Sequence, residues 1–320
     1  MKTKVAIGCL VQWYEIEMVE EYIQSLRNAL DLTENKENII LDFMLVTNQE
    51  LEKINDEITM EDIESRFMSL LPVVARIKYK ITDKLYTIAD YRRDFNHKYC
   101  TEVDVLMWGE SDSLIPKQTF QILDNLHQMS LQNNNPKYLA FFGTCKMWDD
   151  SWKSLEHPDF TDKPFKDLDF DNWWQHHYTM SEEEMDTIND KTDELDVIVM
   201  PKHKFNGCGL IISSEVVRAG ANIPKSVFFT HEDSAFMFMT NKILGNIPQY
   251  VIKNILLVHN RHNPEKRRYV KSEFGDNLKE QRLSNDWYNV ASKMSEKNSY
   301  NLFNENYISY GWEDVWQTIK

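Results

Sequence analysis

The sequence predicts an α/β fold: a mostly parallel central sheet flanked by helices, with a helical C-terminal appendage. Three observations predict it. The runs KVAIGCLV, IILDFMLV and VDVLMW are short, continuous and apolar, as strands covered on both faces are. Between them lie stretches with apolar residues at helical spacing, such as Val19, Ile23, Leu26 and Leu30. Strands that alternate with helices build a parallel sheet.

In order, Lys4 to Val11 reads as the first strand and Ile16 to Leu30 as a helix. Ile39 to Val46 is the second strand, and Leu51 to Leu71 a helix that Pro72 ends. Val73 to Ile81 reads as a third strand, Tyr86 to Tyr99 as a helix, and Val103 to Trp108 as a further strand. Helical spacing resumes in KQTFQILDNLHQM, and YLAFFG is another strand. Residues 148–196 are rich in Asp, Glu and Trp with little periodicity, an excursion of the kind that forms lids and binding loops. Strands follow at Val197 to Met200 and Tyr250 to Val258, with a helix SAFMFMTNKIL between them. Residues 1–265 are read as one catalytic domain and residues 266–320 as a helical extension.

Bulk composition narrows the function. The chain has 320 residues, 42% of them apolar, enough for a full core. Its 36 basic and 51 acidic residues give a net charge of −15, which disfavours broad binding to nucleic acid or anionic membrane. No apolar run approaches the ~20 residues of a membrane span, and the N-terminus reads as a strand and not as a signal peptide. Cys9, Cys100, Cys145 and Cys208 form no CxxC pair, which implies reduced thiols and a cytoplasmic setting. There is no Gly-rich loop after the first strand and no GxxxxGK[ST], which argues against a dinucleotide site or a P-loop.

The organising stretch is VDVLMWGESDSLIP. An apolar strand runs to Gly109, where the backbone is free to bend, and delivers Glu110 and Asp112 two positions apart. Paired carboxylates at a strand end suit a hard divalent cation, Mg²⁺ or Mn²⁺. An acidic surface turn is the plain alternative. Downstream, HED places Glu232 and Asp233 at a helix start, where they serve as a cap or as a general base. Arg261, Lys266, Arg267 and Arg268 form the densest basic cluster, fit for a diphosphate or for solvent. Trp148, Trp152, Trp173 and Trp174 offer aromatic faces for sugar rings, or simply pin the excursion to the core.

Taken in order, these pieces resemble the GT-A glycosyltransferases, especially the large inverting, DxD-type, nucleotide-sugar-dependent family. An apolar strand leads into the loop Leu10 to Glu15. The helix segment YRRDFNHKYC precedes GESDSLIP, a DxD-type motif with glutamate as its first acid. FNGCGL then precedes HEDSAF. The resemblance covers roughly residues 4–260 and implies a GT-A-like (Rossmann-like) domain that moves a sugar from a nucleotide-sugar donor, a UDP-sugar by general frequency, to a hydroxyl acceptor, with inversion. It implies donor contacts from Leu10, Val11, Gln12, Glu15, Arg92, Arg93, Asn96, Glu110, Ser111 and Arg267. Acceptor contacts would come from Trp148, Gly207 and Gly209. Asp112, Glu110 and His259 would hold Mn²⁺ or Mg²⁺, with Asp112 the stronger ligand. Asp233 would be the general base, with Glu232 the fallback. The acceptor stays open between a glycan, a small molecule and, in a phage setting, a hydroxymethylated DNA base. A nucleotidyltransferase and a non-catalytic nucleotide-sugar-binding module are the alternatives.

Overall fold

The computed structural model describes residues 2–47, 59–71, 76–145, 181–199, 207–259 and 286–320. The chain begins with β1 (Val5–Gln12), α1 (Ile16–Asp31), β2 (Ile39–Val46) and α2 (Met60–Leu70). It continues through β3 (Ile77–Thr82), α3 (Ile88–Tyr99), β4 (Val105–Glu110) and β5 (Ser113–Leu114). Next come α4 (Thr119–Gln132), β6 (Leu139–Cys145), α5 (Glu182–Asn189) and β7 (Val197–Val199). The last elements are β8 (Ile211–Ser213), α6 (Ser214–Arg218), α7 (Glu232–Leu244), β9 (Gln249–His259), α8 (Asp286–Tyr300) and α9 (Trp312–Thr318). Among the described residues no helix is long and apolar enough to cross a membrane.

Among the described residues nine strands join one sheet in the order β3-β2-β1-β4-β8-β6-β9-β5, with β7 also paired to β9. β1, β2, β3, β4, β6 and β9 run one way; β5, β7 and β8 run against them. The mostly parallel α/β arrangement expected from the sequence is therefore present.

Alternation along β1 shows why its apolar run is continuous. Val5, Ile7, Cys9 and Val11 face a layer built with Val19, Ile23 and Leu26 of α1, Phe67 of α2 and Phe120 of α4. Ala6 and Leu10 face the opposite layer, with Tyr91, Phe95 and Tyr99 of α3 and Phe236 of α7. A strand buried on both faces has no polar side to show. The one acid in β2, Asp42, is buried and takes hydrogen bonds from the Tyr91 and Tyr99 hydroxyls and from Lys98 Nζ, which ties α3 to the sheet.

The C-terminal helices form a separate small core. Phe228, Ala291 and Val315 are its buried centre, with Phe229, Trp287, Trp312 and Trp316 packed around it. Its polar hub is Asn298. Asn298 Nδ2 donates to the carbonyls of Ser226 (2.7 Å) and Tyr310 (2.9 Å), while Oδ1 accepts from Tyr307 Oη (2.9 Å) and Tyr310 N (3.0 Å). Beside it, Ser295 Oγ donates to the Thr230 carbonyl (2.6 Å). These two helices thus grip the segment that leads into α7. Asn298→Ala breaks four bonds to half-buried partners, so it should cost about 2 kcal/mol. Urea unfolding that moved by less than a few tenths of that would remove Asn298 from this role.

Candidate functional site

Strand direction decides what meets at the rim of the sheet. The C-terminal ends of β1, β4 and β9 point the same way, so Gln12, Glu110 and His259 arrive together. β8 runs against them, and its approach segment, Gly207 to Leu210, lies at the same rim: Gly209 N donates to the Trp108 carbonyl and Trp108 N to the Leu210 carbonyl, both at 2.9 Å. β5 pairs with β9 so that Ser113 stands opposite His259. That register folds the acidic turn back onto the histidine.

The result is a compact cluster. His259 Nε2 lies 2.9 Å from Glu110 Oε2 and 3.2 Å from Asp112 Oδ1. The ligand atoms of Glu110, Cys208 and His259 all lie within 4.8 Å of one another. Arg92, only 2% exposed, closes the other side. Its Nη2 reaches Glu110 Oε1 at 2.6 Å and the Gly207 carbonyl at 3.2 Å, its Nη1 pairs with Glu232 Oε1, and its guanidinium stacks 4.7 Å from the centre of the Trp108 ring. One buried cation therefore links the acid at the end of β4 to the acid that opens α7. A Cβ at Gly207 would lie 2.0 Å from Arg92 Nη1, so only glycine leaves the guanidinium its place.

The electrostatics separate the two glutamates. Burial alone would raise the Glu110 carboxyl, but His259 and Arg92 outweigh it and hold its pKa down to about 2. For Glu232 burial prevails over Arg92, and the neighbouring Asp233 adds to it, so its pKa is pushed up to about 7. His259 is raised despite its burial, because Cys208, Asp112 and Glu110 face it.

The expected residues divide into groups. Glu110, Asp112 and His259 do come together. Gln12, Glu15 and Ser111 join beside them: Glu15 Oε2 accepts from Ser111 Oγ (2.8 Å) and Gln12 N (3.2 Å). Asp233 opens α7 next to Glu232, its Oδ1 taking the Ser234 N–H at 2.6 Å. Gly207 and Gly209 sit on the approach to β8.

Other expectations are corrected. β1 continues through Gln12, so Leu10 and Val11 are core strand residues and the loop begins later than the sequence suggested. Gly109 belongs to β4 and the turn starts after Glu110; the glycine is required because a Cβ would fall 1.9 Å from Tyr22 Oη. Arg93 directs its side chain to the carbonyls of Ile223, Pro224 and Val227, at 2.7–3.0 Å. Asn96 accepts from Trp108 Nε1 (2.9 Å) and donates to Asn222 (3.0 Å). These two position the segment before α7. Trp148, Trp152, Trp173, Trp174 and the basic cluster with Arg267 lie outside the described residues.

Two residues gained roles that the sequence reading had not given them. Arg92 was expected to face the donor, and Cys208 was not singled out at all. For Arg92 a signal existed: Ala89, Arg92, Asn96 and Tyr99 recur on one helix face, and that face is buried. For Cys208 there was only its place between two glycines.

No protein-family model matches the chain, and no curated protein matches it in sequence. Among solved structures, Staphylococcus aureus TarS (residues 1–349) is similar over 98% of this chain and 78% of its own, at 10% identity and a TM-score of 0.44. TarS in complex with UDP-GlcNAc is similar over 94% and 73%, at 12% identity and a TM-score of 0.43. The galactosyltransferase LgtC, in complex with donor and acceptor sugar analogs, is similar over 75% of this chain and 66% of its own, at 11% identity and a TM-score of 0.34. These neighbours are GT-A-type glycosyltransferases, the group that the sequence resembles. At such scores the likeness concerns the course of the chain in outline and carries no argument about chemistry.

Proposed function

We propose that the chain is a metal-dependent glycosyltransferase that moves a sugar from a nucleotide diphosphate donor, a UDP-sugar, to a hydroxyl acceptor with inversion. The observation that carries the reading is the convergence of Glu110, Asp112 and His259 at the sheet rim, tied through Arg92 to the acid pair of α7.

The donor set fits a divalent cation. Glu110 Oε2 and Asp112 Oδ1 both stand within 3.2 Å of His259 Nε2, and Glu110, anchored to Arg92 through Oε1, keeps Oε2 for the rim. When bound there, Mn²⁺ or Mg²⁺ supplies Lewis-acid stabilisation to the charge that grows on a leaving diphosphate. The chain's own residues do the rest. Asp233 takes the proton of the acceptor hydroxyl as its oxygen bonds to the anomeric carbon and the bond to the diphosphate breaks. A single displacement of this kind inverts the anomeric centre. Arg92 fixes the spacing between the cation-holding acids and the acid pair, so that one rigid group sets both halves of the reaction.

Asp112→Ala tests the reading. Release of nucleoside diphosphate from a panel of nucleotide sugars with Mn²⁺ should fall by about 100-fold or more in the variant. Equal release from both proteins would overturn the cation role.

A further inference from the structure

We propose that Cys208 gives this centre a thiolate donor, so that soft cations of the Zn²⁺, Co²⁺ and Cd²⁺ class bind through Glu110, Cys208 and His259 and compete with the hard cation. The inference rests on the reading of Glu110 and His259 as cation ligands given above, but not on sugar transfer itself.

Three features carry it. The first is distance. The three ligand atoms lie within 4.8 Å of one another, whereas ligands on a tetrahedral zinc stand about 3.3–3.8 Å apart, given bonds of about 2.0–2.3 Å. Closing that gap takes a shift of about 1 Å, within the reach of side-chain rotation. The second is rigidity. Glu110 ends β4, His259 ends β9, and Cys208 sits on the approach to β8, which lies against β4; each is held by the backbone ladder of one sheet. Glu110 is further pinned by Arg92, and the same arginine takes the Gly207 carbonyl next to Cys208.

The third is chemistry. Cys208 and His259 are both about 2% exposed, so a cation there sits on a dry floor of sulfur and nitrogen, with Glu110 on its more open side. Thiolate selects soft cations, whereas carboxylate oxygens suit Mg²⁺ and Mn²⁺. Asp112, 3.2 Å from His259 Nε2, offers the hard cation the oxygen that Cys208 replaces with sulfur for the soft one. Three protein ligands would leave a fourth position open, as in catalytic zinc sites. Both cation classes share His259 and Glu110, so occupation by one excludes the other.

The test titrates the full chain with Co²⁺ alone and follows the near-ultraviolet absorption. A thiolate-to-cobalt charge-transfer band that saturates at one equivalent is expected. It should vanish in Cys208→Ser and persist in Cys9→Ser and Cys100→Ser. In wild type, Cd²⁺ should inhibit Mn²⁺-supported diphosphate release and be relieved by excess Mn²⁺. Absence of the band, or its survival in folded Cys208→Ser (checked by circular dichroism), overturns the proposal. Mn²⁺-supported release without the band leaves sugar transfer standing and this inference fallen; the band without any release does the reverse.

Discussion

Arg92→Met is expected to destabilise the protein by about 3–5 kcal/mol, because it leaves Glu110 and Glu232 facing each other with no cation between them. A methionine fills most of the space and keeps contact with the Trp108 ring, so the loss is mainly electrostatic. The geometry already shows how finely the balance is set. Arg92 Nε is buried with no hydrogen-bond partner, an expense tolerated while the two terminal nitrogens serve Glu110, Gly207 and Glu232. Arg92→Lys should recover only part of the loss, since an ammonium cannot bridge two carboxylates in the plane of a fork. Adding Glu232→Gln to Arg92→Met should return at least about 1 kcal/mol, because one stranded charge is removed. Chemical denaturation of the single and double variants measures this. A loss below about 1 kcal/mol for Arg92→Met would mean that water, and not Arg92, compensates these acids.

How much of this was legible depends on how local each signal was. β2 was readable to the residue, Ile39 to Val46, because a strand covered on both faces must be apolar throughout and its ends are abrupt. The helices α1 and α3 were readable because their buried faces repeat at helical spacing. β5 was not, since two residues carry no pattern; what makes Ser113 and Leu114 a strand is β9, far along the chain. The reversed direction of β8 was equally hidden, because a short apolar run reads the same in either sense. Those two non-local facts build the site: one folds Asp112 towards His259, the other brings Cys208 beside Glu110. The acids themselves were legible, because carboxylates after a buried strand are unusual enough to notice. Their counter-charge was legible only as a position on a helix face, because an arginine on a helix is ordinarily a surface residue.

Asp233→Asn is expected to lower the turnover of a transferable acceptor by about 10²–10⁴-fold while leaving donor binding nearly unchanged, as loss of a general base does. The competing assignment gives the proton to Glu232, and pH separates the two. Glu232 has its pKa pushed from 4.5 up to about 7, chiefly by burial, so below neutrality it holds a proton and cannot accept another. Were it the base, kcat would climb tenfold per pH unit up to about 7 and level off above, and Glu232→Gln would abolish turnover as completely as Asp233→Asn. With Asp233 as the base, Glu232→Gln keeps a hydrogen-bond acceptor towards Arg92 and retains most of its turnover. A carboxyl whose folded pKa is raised favours folding fully below its unfolded pKa and least above its folded pKa, where both states are ionised. Glu232 therefore lowers stability progressively from about pH 4.5 to about 7 and contributes no further slope above it. A kcat limb that follows that same window, lost in Glu232→Gln, would move the base from Asp233 to its neighbour and leave Asp233 as an acid in the first turn of α7.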